Sequence, residues 1–515
     1  MADIEIDSLP SANGAGAERK SLPGSGKRFI VPLVILLHLT LTFFLAFKLN
    51  IWVDEAFSLH TTGKGPGFAL RQALNFELQA PLYFVLLSMW RKLDSSIFFA
   101  RLVSIASVAL ALKVLASLST RFWKDLHPGW IVAIVAFNPL TIGVAVDIRL
   151  YAPVLLLSAL LLLTFHDGYL AQTPTNRRSQ VWYLIVSVAA LYTQYYTGFL
   201  LLGNAFALLV LKRWRPLREY LLGMLGVALC FTPIMPFISY QMSAHTAPIH
   251  NAESWFEVFK TVTWRMKDYL LPLGWDVSLV VRSWLLRLCY IVALVVIFKK
   301  RRSLNPEAIA IWTITLVIAM CFLVTARFSG EMLLQIRHTI VLFFPLTIAA
   351  FSIVRIAKKR ILVVCWTIAV LIFSLTALYV HYRPLAKSGD WKRVAAYLMA
   401  TEKTDQPILV FHAGAELPLS SYYVGSNVLV PVPRENTFER FDFQDYVLRD
   451  EREIIDKLEH MPGEHEKIWL VTDEDCGYAD LNYHCEILEG FVNKYYTVEE
   501  SRNFLNSTVR LLRRK

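Results

Sequence analysis

Eleven apolar stretches separated by short loops, several of them flanked by paired basic residues, fill the chain from residue 29 to residue 381. Few folds accept such a pattern. Backbone N–H and C=O groups in lipid must be satisfied inside helices or a closed barrel, and a helix needs about 20 apolar residues to cross. Residues 29–48, 97–118, 130–146, 151–166, 181–196, 197–211, 219–239, 284–298, 306–325, 339–354 and 361–381 read as spans. Residues 81–93 are apolar as well, but at about four turns they read as a helix lying in the interface.

The basic residues orient these spans. Lys212, Arg213 and Arg215, then Lys299 to Arg302, then Lys358, Lys359 and Arg360 fall on one side of the expected bilayer, as cytoplasmic loops do. The N-terminus is then cytoplasmic and residues 383–515 lie outside, in an integral protein of a bacterial inner (plasma) membrane. Counting residues 81–93 as a span would place the basic clusters outside, so that topology is rejected. The net charge of +11 does not point to nucleic acid, because its cations sit in these short runs and form no continuous stripe. Residues 1–28, rich in Gly, Ser, Ala and Pro, read as a disordered tail. No small-residue cleavage site follows residues 29–48, so that segment reads as a retained anchor.

The last 133 residues are patterned differently. Ile408–Phe411 and Ile468–Val471 read as buried strands, and Trp391–Ala400 and Glu451–Met461 as helices, which predicts a small α/β domain. Cys230, Cys289, Cys321 and Cys365 lie in apolar spans and read as packing residues. Cys476 and Cys485 are nine positions apart, and an oxidising compartment would favour a disulfide between them.

In this topology polar residues collect at the outer surface. The first outer loop carries Asp54, Glu55, His60, Glu77, Gln79 and Tyr83, and Arg101 opens the next span. A later turn brings Asp147, Arg149 and Tyr151. Two others bring Tyr195 and its neighbours, then Glu331, Arg337 and His338. Charges at this depth face a cavity or each other. Any single carboxylate here could form a structural ion pair, but several separate turns bring acids and arginines to the same level. A carboxylate can take a proton from an acceptor hydroxyl, and an arginine can bind phosphate bidentately. Aromatic rings offer stacking faces for a sugar. With no Walker-type phosphate loop in the chain, this inventory points to group transfer from a lipid phosphate.

The residues around these positions resemble those of membrane-embedded glycosyltransferases of the GT-C fold, in the branch of protein O-mannosyltransferases and the lipid A aminoarabinose transferase. Ile51-Trp52-Val53-Asp54-Glu55 resembles the first-loop signature. Gln79-Ala80-Pro81-Leu82-Tyr83-Phe84 resembles a His-Pro-Pro-Leu-Tyr-Tyr stretch, with Glu77 in place of its preceding acid. Arg101-Leu102-Val103-Ser104, Asp147-Ile148-Arg149-Leu150-Tyr151-Ala152, Arg337-His338 with Pro345, and Gly389-Asp390-Trp391 follow in the family's order. The likeness implies a helical polytopic membrane domain (residues 29–382) with about 11 transmembrane helices and a small extracytoplasmic α/β domain (383–515). It implies inverting transfer of one sugar from a polyprenyl-phosphate donor to a hydroxyl-bearing glycan, lipid or protein. Asp54 would be the general base and Glu55 would orient it or bind acceptor. Glu77 and Asp147 would shape the sugar or acceptor pocket, and Arg101, Arg149 and Arg337 would hold the donor phosphate. Gln79, Ala80 and His338 depart from the pattern, and the first removes a possible metal ligand. No cofactor is predicted from the sequence; a divalent metal stays open, with no residue pattern to support it. The competing readings are a lipid-linked-sugar flippase and a glycan ligase acting from polyprenyl diphosphate. A flippase would be expected to show an inverted repeat of hydropathy and a pair of Gly/Pro-broken spans, and the sequence reads as having neither.

Overall fold

The computed structural model describes residues 29–515 apart from 124–126, 172–175, 245–253, 330–333, 357–359, 462–464, 479–480 and most of 273–303. The protein is an α-helical polytopic membrane protein with a C-terminal sheet domain. Among the described residues, six single helices are long and apolar enough to cross a membrane: Ile30–Lys48, Ile97–Phe122, Tyr151–Leu170, Trp214–Met242, Pro306–Phe328 and Val363–Tyr382. Each coincides with an expected span.

The remaining expected spans are shorter or broken. Residues 130–146 form two helices, Gly129–Ala136 and Pro139–Val146, bent by 62°. Asn138-Pro139 causes the break: proline offers no N–H to the preceding turn, and the residue before it is pushed to extended geometry. Asn138 (ψ 132°) then caps the second helix, its Oδ1 accepting the Leu140 N–H at 3.0 Å. Residues 197–211 and 339–354 appear as the shorter apolar helices Thr197–Val210 and Arg337–Ile353. Residues 181–196 overlap the helix Arg177–Leu191, of 15 residues. Most of the expected span 284–298, and Glu331, lie outside the described residues. Residues 81–93 form the helix Leu82–Trp90, whose nine residues are too few to cross.

The cysteines of the spans correct one expectation. Cys230 and Cys365 are exposed on their helices and Cys321 is only half-buried, so none of these three fills a packed core. Cys289 is outside the described residues. Cys476 and Cys485 form a disulfide.

The C-terminal sheet contains β1 (Ile408–Phe411), β2 (Leu429–Val432), β3 (Lys467–Asp473), β6 (Tyr496–Phe504) and β7 (Ser507–Arg514), in the order β2-β1-β3-β7-β6. β4 (Gly477–Tyr478) and β5 (Leu481–Asn482) make a separate small hairpin. The β2-β1-β3 part is parallel, and the rest of the sheet is antiparallel. Every residue of β1 is buried, as its unbroken apolar run requires in a sheet covered on both faces. Trp391–Thr401 packs on one face through Trp391, Val394 and Leu398, and Cys485–Tyr495 on the other through Leu488, Phe491 and Val492.

The two parts meet at one end of the helices. The end of Ile30–Lys48, the starts of Ile97–Phe122 and Tyr151–Leu170, and the end of Val363–Tyr382 all converge below the sheet domain. Ile51 N–H donates to Tyr422 Oη (2.8 Å) and Lys387 N–H to Asn50 Oδ1 (2.7 Å). Phe57 packs edge-on to Phe441, and the rings of His60 and Phe438 stack at 3.7 Å. Gly389 (φ +89°) closes the linker, where a Cβ would sit 2.1 Å from the Trp391 ring.

Candidate functional site

Asp54 and Glu55 lie in the first turn of the helix Val53–Thr61, where carboxylates are favoured by the exposed N–H groups. Neighbours on a helix point about 100° apart, so these two acids enter different surroundings. Asp54, Ser58 and Thr61 share one face, which fronts Arg149 and Glu77. Glu55 turns inward.

The inward side is closed. Glu55 and Arg101 are both fully buried and pair at 3.2 Å. Arg101 Nη1 also donates to Ala46 O and Leu49 O, and Nη2 to Asn50 O, each at 2.8 Å. Its Nε donates to Glu55 Oε1 at 3.3 Å. The guanidinium thus caps the carbonyl end of the first span and retains no donor for a phosphate. This corrects the expected role of Arg101. Glu55 also accepts the Ile148 N–H at 3.0 Å and the Trp52 N–H at 3.3 Å.

Lys387 completes this side, and the sequence reading did not include it. Its ammonium donates to Glu55 Oε2 (2.6 Å), Asp147 Oδ1 (2.6 Å) and Val146 O (3.2 Å). Burial by itself would raise the Glu55 carboxyl, but the charges of Arg101 and Lys387 outweigh it and hold the group below its ordinary value. For Asp147 burial dominates over Lys387, and the group is raised. A charge ledger could have found Lys387. Asp54, Glu55, Glu77 and Asp147 face only Arg101, Arg149 and Arg337, which leaves one buried negative charge without a cation.

The other side is open. Arg337 Nη1 donates to Asp54 Oδ2 at 2.6 Å, Arg149 Nη2 lies 4.0 Å from the same oxygen, and Asp54 is 23% exposed. Arg149 Nη1 donates to Glu77 Oε2 and Ser58 Oγ, each at 2.9 Å, and to Asp54 O at 3.2 Å. Among the described residues its Nε has no partner. Thr61 Oγ1 donates to Glu77 Oε1 at 3.2 Å. Burial raises the Glu77 carboxyl despite the opposing charge of Arg149. Arg337 Nε donates to Gln335 Oε1 (2.6 Å) and Nη2 to Tyr478 Oη (3.4 Å), so the disulfide-closed loop of the sheet domain reaches the site.

The remaining expected residues divide. Tyr151 lies beside Arg149, whose guanidinium is 6.0 Å from its ring. Tyr83 is 2% exposed, and its hydroxyl has no partner among the described residues although it lies in the field of Arg149, Glu55, Glu77 and Asp147. Gln79 is joined to the cluster by no described contact. Tyr195 packs on Phe231, and His338 edges onto Tyr196 at 6.0 Å. Among the described residues, no group of three or more His, Cys, Asp or Glu could hold a metal ion.

No family model and no curated protein matches the chain. Among solved structures it is similar to the crystal structures of ArnT from Cupriavidus metallidurans. The identity is 12% with undecaprenyl phosphate bound (TM-score 0.46) and 14% in the apo state (TM-score 0.47), and each alignment covers 95% of this chain and 98% of that one. It is also similar to the Archaeoglobus fulgidus oligosaccharyltransferase in complex with Zn and sulfate. There the identity is 10%, the TM-score 0.43, and 85% of this chain and 68% of that chain are covered.

Proposed function

We propose that the protein is an inverting glycosyltransferase of the bacterial inner membrane. It moves one sugar from a polyprenyl-phosphate donor to a hydroxyl acceptor on the extracytoplasmic face. The observation that carries this reading is the part-exposed Asp54 carboxylate, with Arg337 at 2.6 Å and Arg149 at 4.0 Å, at the end of the spans where a lipid headgroup would lie. The ordered motif likeness supports the same reading.

The donor phosphate takes the open donors of Arg337 and Arg149. Asp54 accepts the proton of the acceptor hydroxyl as its oxygen attacks the anomeric carbon from the face opposite the phosphate. The new C–O bond forms as the bond from carbon to phosphate oxygen breaks, and that electron pair leaves on the polyprenyl phosphate. The two guanidinium groups stabilise its added negative charge. Glu77 holds Arg149 in place. Glu55 orients the helix that carries Asp54 and stays out of contact with substrate.

The test is Asp54→Asn in purified protein reconstituted in liposomes. Transfer should fall by roughly 10²–10⁴-fold, the usual worth of a general base, while the thermal unfolding midpoint barely moves. Full activity in the variant would remove Asp54 from the chemistry. Movement of lipid-linked sugar across the bilayer with no acceptor present would favour the flippase instead.

A further inference from the structure

Lys387 sits in a cage of oxygen atoms. The three hydrogens of its ammonium meet three acceptors: a carboxylate of Glu55, a carboxylate of Asp147 and the Val146 carbonyl. Two carboxylates and a backbone carbonyl are also the ligands a hard divalent cation takes, with water completing its shell. The cage is built from distant parts of the chain. Glu55 comes from the first outer helix, and Val146 and Asp147 from the end of the bent helix pair. Lys387 comes from the linker after the last span. Its backbone N–H is pinned by Asn50 Oδ1 at 2.7 Å, which fixes where the side chain enters.

We infer that Lys387 is the resident cation of the Glu55–Asp147 pair, in a position that Mg²⁺ or Mn²⁺ would take if the side chain were absent. Its charge makes the cluster neutral, with Asp54, Glu55, Glu77 and Asp147 set against Arg101, Arg149, Arg337 and Lys387. Lys387 acts through the acids it holds and is a positioning residue. It fixes the end of the bent helix pair to the helix that carries Asp54. Because it belongs to the linker, the sheet domain and the acid cluster are held by the same side chain. Its effect on transfer rests on the glycosyltransferase reading. Its occupancy of the cage does not.

The experiment compares wild type with Lys387→Ala, both purified in detergent and desalted from EDTA. Bound metal is measured by elemental analysis after incubation with Mn²⁺ or Mg²⁺, and unfolding midpoints are measured with and without each ion. Wild type should retain no stoichiometric ion, and its midpoint and transfer rate should be indifferent to EDTA. Lys387→Ala should bind about one Mn²⁺ or Mg²⁺ per chain and rise in midpoint when it does. It should lose roughly tenfold or more in transfer without the ion, and regain most of that loss with it or with added ethylammonium. Lys387→Ala/Asp147→Asn, which breaks the cage while removing one charge of each sign, should bind no ion. A stoichiometric ion retained by wild type, or a Lys387→Ala protein indifferent to both ions, overturns the proposal. Should Lys387→Ala fold only when expressed in Mn²⁺-supplemented medium, and carry the ion, the proposal stands. A failure to fold with or without the ion, alongside a folded double variant that still binds it, sinks it. Wild type that transfers no sugar under any ion condition counts against the glycosyltransferase reading, while the ion measurements still decide on Lys387.

Discussion

Asp54 and Glu55 are adjacent in sequence and opposite in circumstance. Glu55 is fully buried, with each oxygen engaged by Arg101, Lys387 or a backbone N–H. Asp54 is part-exposed, and among the described residues its carboxylate makes one short contact, to Arg337, itself 28% exposed. The difference follows from helix geometry, which sends neighbouring side chains about 100° apart. One helix therefore carries a buried strut on its inner face and, in the proposed mechanism, the reagent on its outer face. A buried ion pair is costly to assemble and more costly to break, so the closed half fixes the geometry in which the open half works.

The largest effect should come from breaking the closed half. Arg101→Leu leaves Glu55 ionised and short of its main partner, and removes the donors that cap Ala46, Leu49 and Asn50. We expect a loss of about 3–5 kcal/mol, measured as lost expression of folded protein or a sharply lower unfolding midpoint. A normally stable Arg101→Leu protein with impaired donor binding would reverse the assignment and return Arg101 to the phosphate. Next in size is Arg337→Lys on the open side. It keeps the charge and loses the planar fork, so the donor KM should rise roughly tenfold, the equivalent of about 1.4 kcal/mol, with the unfolding midpoint unchanged. An unchanged KM would argue against phosphate at Arg337.

How much of this could be read from sequence differs between the halves. The open half was legible, because Asp54, Glu77, Arg149 and Arg337 are polar residues in otherwise apolar surroundings, where their presence needs a reason. Arg101 was legible as a position and misread as a role. A residue one turn into a span can meet either a ligand or the carbonyl end of a neighbouring helix, and sequence does not separate these. Lys387 was passed over because a lysine just beyond a span looks like any juxtamembrane charge. Its importance lies in a fold that returns the linker to Asn50. The helix breaks behaved similarly. Residues 130–146 read as one unbroken span, and the break at Asn138-Pro139 with the 62° bend that delivers Asp147 shows only in the structure. The strands of the outer domain were the clearest, since β1 and the centre of β3 are apolar runs buried on both faces.

Acid should separate the halves more gently than mutation. Burial raises the Glu77 carboxyl above its ordinary 4.5, whereas Arg101 and Lys387 hold Glu55 below that value against the effect of its burial. The signs of the two differ. The stability contributed by Glu55 is present above its unfolded value and is lost only as pH falls through its depressed folded value. Glu77 takes its proton at higher pH, and in doing so gives up its charge on Arg149, whose Nη1 it engages at 2.9 Å. There should therefore be a window above pH 4.5 in which the donor KM shifts a few-fold while the contribution of Glu55 to the unfolding midpoint holds. Glu77→Gln, neutral at every pH, should remove that shift in KM and leave the midpoint profile of the closed half in place. If the KM shift and the loss of midpoint instead arrive together, and persist in Glu77→Gln, the two halves titrate as one unit, and the division between strut and reagent fails.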